Sequence, residues 1–178
     1  MSTVEQLPLF RKKTSFRRRI MGWYGRQARD LSWRGTLDPY SIWVSEIILQ
    51  QTRVDQGTPY IERFLKLFPT HDRLARARLD SVLKLWEGLG YYSRARNLHK
   101  AAGIVVREYG GRLPETATEW EMLPGIGRYT AGAIASIAYG EQVPVVDGNV
   151  KRVLARLTDC ADNIDLPGTT DVMWGWMT

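Results

Sequence analysis

Apolar positions along this chain recur three and four residues apart, and the runs that show it are separated by proline, glycine and aspartate. Asp38-Pro39 opens one such run, with an aspartate suited to cap a helix and a proline suited to its first turn. Ile42, Trp43, Ile47, Ile48 and Leu49 then form a broad apolar face reaching about Thr52. Thr58-Pro59 predicts a second helix along Tyr60, Ile61, Phe64, Leu65 and Phe68, with Pro69 beyond its end. Asp80 predicts a third over Val82, Leu85 and Trp86, closing at Gly88 and Gly90. Ser93 predicts a fourth over Ala95, Leu98, Ala102, Val105 and Tyr109, stopped by Gly110-Gly111. Thr118-Glu119-Trp120-Glu121 reads as a capping box for a short fifth helix that Pro124 ends. A sixth is expected from Tyr129 to Tyr139 and a seventh from Gly148 to Leu157 behind Asp147. Neither sustained β alternation nor an internal repeat breaks this series, so the predicted class is all-α, built on short packed helices.

Composition narrows the picture. With 178 residues, 44% of them hydrophobic and 11% aromatic, the chain is long and apolar enough for a real core. A single cysteine, Cys160, excludes an internal disulfide framework and an all-cysteine metal cage within one copy. His71 and His99 have no close cysteine partner, so no zinc site is expected. The apolar runs are too short to span a bilayer, and the N-terminus has no secretory core, which makes the cytoplasm the expected compartment. Charge is unevenly placed: the net value is +6, but residues 1–158 hold 25 bases against 15 acids, and the last twenty residues hold four acids and no base. Arg11, Lys12, Lys13, Arg17, Arg18, Arg19, Arg26, Arg29 and Arg34 are opposed by Asp30 alone. That stretch is either a phosphate-backbone surface or a solvated helix face.

Three groups of residues suggest chemistry. Leu123-Pro124-Gly125-Ile126-Gly127-Arg128-Tyr129 lies between two predicted helices. Glycine permits positive φ and close backbone approach, the following amides open a helix N-terminus, and Arg128 adds charge. Such a turn can grip a phosphate without reading a base, although it also fits an ordinary helix connection. Glu46 lies mid-helix among apolar residues, and Asp147 follows Val143-Pro144-Val145-Val146. Glu46 fits a solvent edge and Asp147 a helix cap; as a pair, one acid and one anion are what cleavage of a glycosidic bond requires. Gln50-Gln51-Thr52 and Gly88-Leu89-Gly90-Tyr91-Tyr92-Ser93 offer amides and aromatic faces suited to wedging into a base stack. Two adjacent tyrosines otherwise divide between core and surface.

Ser45 to Arg53, Trp86 to Leu98, Leu123 to Ala131 and Val146 to Val153 resemble the four signature blocks of the MutY-type adenine DNA glycosylases, of the helix-hairpin-helix, Gly/Pro-Asp superfamily. The resemblance runs from about Leu31 to Leu157 and implies an all-α helix-hairpin-helix DNA glycosylase fold. It implies residues 1–30 as a basic arm and first helix, 31–158 as the glycosylase core with its six-helix lobe complete, and 159–178 as an acidic, divergent tail, the second lobe being mostly missing. The activity it implies is hydrolysis of the bond to adenine mispaired with 8-oxoguanine or guanine in double-stranded DNA, by a bacterial-type, nucleoid-associated enzyme.

By the same resemblance Glu46 protonates the leaving base, Asp147 stabilises the sugar cation, Asn149 orients that site and Tyr129 lies in the base pocket. Gln51 and Tyr91 are the wedges, Arg29, Leu31 and Trp33 stand near the adenine, and Gly125, Gly127 and Arg128 hold the phosphate. The carbonyls of Glu121, Leu123 and Ile126 are expected to accept a monovalent cation. Strand-cutting relatives place a lysine where this chain has Tyr129, so strand cutting is expected to be absent or weak. The family's [4Fe–4S] cluster is held by four cysteines that this chain lacks. Two further readings follow: a thymine–guanine mismatch glycosylase, and a DNA-binding fragment without catalysis. Self-association through an uncovered lobe face is a third expectation.

Overall fold

A computed structural model of the protein describes residues 13–29, 31 and 35–177, and within them ten helices and no strand. The expected all-α class is what the chain adopts. The helices are α1 (Lys13–Gln27), α2 (Pro39–Leu49), α3 (Val54–Leu67), α4 (His71–Ala75), α5 (Leu79–Leu85), α6 (Ser93–Glu108), α7 (Ala117–Glu121), α8 (Arg128–Tyr139), α9 (Gly148–Thr158) and α10 (Pro167–Met177). They divide between two compact units, residues 32–143 and residues 1–31 with 144–178. The motif-based division places its boundaries after residues 30 and 158, whereas compactness groups the N-terminal helix with the C-terminal segment.

The larger unit is organised around α2. This helix is apolar on nearly every side, and Tyr40, Ile42, Trp43, Val44, Ser45, Ile47 and Ile48 are all buried. It packs against α3, α6 and α8; α4 and α5 pack on α6, and α7 on α8. Trp43, Trp86 and Trp120 are fully buried, with the Trp43 and Trp120 rings edge to face at 5.2 Å and Phe64 against Trp86 at 6.0 Å. Both histidines hold the frame: Nε2 of His71 meets the Gly111 carbonyl and Nε2 of His99 the Ala77 carbonyl, each at 2.9 Å.

Several elements begin elsewhere than the pattern predicts. Helix α3 starts at Val54, so Pro59 lies inside it. Packing holds that extra turn: a Cβ on Gly57 would meet Leu49 Cδ2 at 2.7 Å, and Thr58 Oγ1 donates to the Val54 carbonyl at 2.7 Å. The single turn α4, capped by Thr70, is too short to show a period. Asp80 and Ser93 sit within the first turns of α5 and α6 rather than capping them. The capping box is Thr116 with Glu119, two residues earlier than Thr118. In that register Glu141 Oε2 accepts the Ala117 amide at 2.7 Å, and Trp120 faces the core.

In the smaller unit, Asp147 caps α9, and α9 packs on α10. Val146, Leu154, Met173 and Trp174 form a second buried cluster, with Cys160 packed against it. The C-terminal segment 173–177, which matched nothing in the sequence pattern, is therefore the end of a helix whose Met173 and Trp174 are interior. Helix α1 leaves Ile20, Met21, Trp23 and Tyr24 exposed beside its arginines.

Candidate active site and nucleic-acid interface

Glu46 lies on the third turn of α2, half-buried between the buried Ser45 and Ile47. It is partly exposed rather than fully enclosed. One turn later, Gln50 Nε2 donates to Thr130 Oγ1 at 3.1 Å. That bond ties the end of α2 to the first turn of α8, where Tyr129 is also half-buried. The structure thus brings together the two helix turns that bear the expected proton donor and the expected pocket tyrosine.

The hairpin turn connects α7 to α8. Gly125 has φ +81, and a Cβ there would meet Asn97 Cβ of α6 at 2.6 Å. Both conformation and close approach therefore require glycine at this position. Gly127 does not use the positive φ that glycine permits. Its backbone is extended (φ −96, ψ 173), it caps α8, and nothing lies within 4 Å of a Cβ. Gly127 and Arg128 are exposed at the start of a twelve-residue helix, an end whose dipole favours an anion. Leu123 O accepts the Ile126 amide at 3.2 Å.

Gln51 and Tyr91 both stand outside ordinary backbone space, at φ 55 and φ 49. A side chain in the left-handed region costs about 1 to 3 kcal/mol and persists only where its surroundings dictate it. Tyr91 is 64% exposed and Tyr92 36%, so neither tyrosine of the pair enters the core.

Both turns meet at Arg94, a residue the sequence reading passed over. Its side chain is buried. Nη1 donates to the carbonyls of Ile47 at 3.1 Å and Ile48 at 2.9 Å, and also to Gln50 O; Nη2 faces Leu89 O at 3.4 Å and Gly90 O at 3.3 Å. Burial draws the guanidinium below its ordinary pKa, opposed by Tyr91. In the sequence the local sign is that Arg94 lies on a stripe of α6 with Ala95, Leu98, Ala101, Ala102, Gly103 and Val105, which does not reveal its partners.

In the smaller unit Asp147 accepts the Val150 amide on Oδ1 at 2.7 Å and Asn149 Nδ2 on Oδ2 at 2.8 Å. It is a helix cap, as the simplest reading of its position expects, and Asn149 fixes its second oxygen. Arg29 is exposed and Leu31 half-buried; Trp33 lies outside the described residues. Cys160 alone cannot supply four thiolates, and among the described residues no group of three or more His, Cys, Asp or Glu could hold a metal. The residues present do not fit an iron–sulfur cluster.

Residues 44–173 match the family model described as HhH-GPD superfamily base excision DNA repair protein, and the chain belongs to that family. It is similar to the adenine DNA glycosylase of Rattus norvegicus, at 50% identity over 81% of this chain and 30% of the relative. With that of Homo sapiens the identity is 44% over 98% of this chain and 34% of the relative. The chain thus spans about a third of the length of these two curated relatives. A solved thermostable thymine-DNA glycosylase superposes with a TM-score of 0.81 at 26% identity, covering 94% of this chain and 77% of that one.

Proposed function

We propose that the chain is the base-excising part of an adenine DNA glycosylase that acts on double-stranded DNA containing adenine opposite 8-oxoguanine or guanine. The observation that carries this reading is its identity to adenine DNA glycosylases over most of its length. The half-buried Glu46, in the helix turn tied to α8, and the doubly hydrogen-bonded Asp147 are consistent with it.

Chemistry on a base inside a duplex requires that the nucleotide leave the stack, at a cost of a few kcal/mol that a mispair lowers. Gln51 and Tyr91 wedge into the stack, and Arg29 and Leu31 stand near the extruded adenine. Gly125, Gly127 and Arg128 hold a flanking phosphate; a monovalent cation would be held there by the carbonyls of Glu121, Leu123 and Ile126. Glu46 gives its proton to a ring nitrogen as the bond to C1′ breaks, so adenine leaves neutral. Asp147 as the anion stabilises the positive charge that develops on the sugar, with Asn149 fixing its orientation. Water then adds its oxygen to C1′ and gives up a proton, leaving an abasic site. Tyr129 has no amine with which to form a Schiff base, so the reaction stops at base release.

The test is a single-turnover excision assay on three duplexes: adenine opposite 8-oxoguanine, thymine opposite guanine, and fully matched. Release from the first alone supports the proposal. Release of thymine instead would favour the thymine reading, and tight binding with no release would leave a DNA-binding fragment.

A further inference from the structure

We infer that Arg94 is a positioning residue whose guanidinium locks the Gln51 turn and the Tyr91 loop into one arrangement, so that a duplex meets them as a single unit. The inference rests on the proposed function for what the two turns touch, but its structural half stands on contacts within the protein.

An arginine that is 9% exposed on an otherwise apolar helix stripe must find a partner for nearly every N–H or cost the fold heavily. Both Nη atoms of Arg94 find them, on two segments, while its buried Nε has none. Nη1 serves the C-terminal carbonyls of α2, which have no partner within their own helix. It also reaches Thr52 Oγ1 at 3.4 Å. Nη2 serves the carbonyls of Leu89 and Gly90. The last carbonyl held on each segment is the one just before its left-handed residue: Gln50 precedes Gln51, and Gly90 precedes Tyr91. Holding that carbonyl fixes the peptide plane that sets the next φ.

The aromatic rings complete the clamp. Arg94 Cζ lies 5.5 Å from the centre of the Trp86 ring and 5.6 Å from that of Tyr91, within cation–π range. Trp86 Nε1 also donates to Gly90 O at 3.1 Å. Tyr91 is thereby held by its ring face while remaining largely exposed. A planar fork can serve both segments at once; an ammonium is a point donor and must choose one.

Arg94→Lys tests this without removing the charge. In the DNA-free protein, amide exchange within residues 50–53 and 88–92 should rise about tenfold or more, the scale of losing a charged hydrogen bond. Exchange in the buried turns of α3 and α8 should not change. The preference for the adenine–8-oxoguanine duplex over a matched one should fall by about the same factor. Gln51→Ala and Tyr91→Ala should each reduce that preference less in the Lys background than alone. Unaltered exchange in the two turns, a rise throughout residues 32–143, or strictly additive costs would overturn the inference. Should the lysine variant fail to fold, Tyr91→Leu replaces it: faster exchange at residues 50–53 supports the clamp, and no effect there overturns it. A wild-type protein with no duplex preference would defeat the proposed function, while the exchange result would still decide the role of Arg94.

Discussion

Gln50 and Thr130, eighty residues apart in the chain, meet side chain to side chain at 3.1 Å, and this bond joins the turn of α2 after Glu46 to the turn of α8 that holds Tyr129. Thr130 is buried, so its hydroxyl depends on such a partner. A double-mutant cycle with Gln50→Ala and Thr130→Val, followed by denaturant unfolding, should give a coupling of about 0.5 to 1.5 kcal/mol. Additive losses would mean that packing alone holds the two helices together.

The hairpin depends on one glycine more than on the other. Gly125→Ala places a side chain at φ +81 against Asn97 and should destabilise the protein by about 1 to 3 kcal/mol, with weaker binding of duplex DNA. Gly127→Ala meets open space in an extended backbone and should leave stability nearly unchanged. Thermal unfolding of the two variants side by side checks this contrast; equal losses would contradict it.

Glu119 links stability to pH. Its carboxylate accepts from the backbone and side chain of Thr116 and from the backbone of Glu115, which holds it below the ordinary glutamate range. Because the folded value is the lower one, the stabilisation is present above the ordinary range and is lost as pH falls through the folded value. The gap in Tm between wild type and Glu119→Gln should therefore be constant near neutrality and close in acid. A gap independent of pH would show that ionisation of Glu119 does not carry the stabilisation.

Borohydride should not trap the protein on DNA, because Tyr129 carries no amine. The lysine nearest in sequence to Asp147 is engaged: Lys151 Nζ donates to Ile164 O at 3.0 Å and to Asp165 Oδ1 at 3.2 Å. A trapped complex on gel electrophoresis, lost in Lys151→Ala, would identify that residue as a nucleophile and the mechanism as bifunctional.

Much of this was legible in the residues. The apolar spacing located α2, α6, α8 and α9 to within a few positions, because each is long enough to show a period and is bounded by proline, glycine or aspartate. Glycine at 125 and aspartate at 147 announced their backbone roles for the same local reason. Helix α4 was not legible, since five residues hold no period. The capping box was ambiguous because Thr116 and Thr118 each precede a glutamate by three, and only the contact from Glu141 decides between them. Arg94 was hidden differently. Its partners lie on segments more than forty residues upstream as well as in the adjacent loop, and no local rule reveals a buried guanidinium that serves both.

The proposed release of adenine depends on a proton from Glu46, and Glu46→Gln removes that proton. Glutamine keeps the size and much of the hydrogen bonding of the side chain while removing its proton. On a duplex with adenine opposite 8-oxoguanine, the single-turnover rate should fall by about two to four orders of magnitude. The affinity for that duplex, measured under the same salt, should stay within a few-fold of wild type. Adenine release by the Gln variant at near the wild-type rate would contradict the account and assign the proton to another residue.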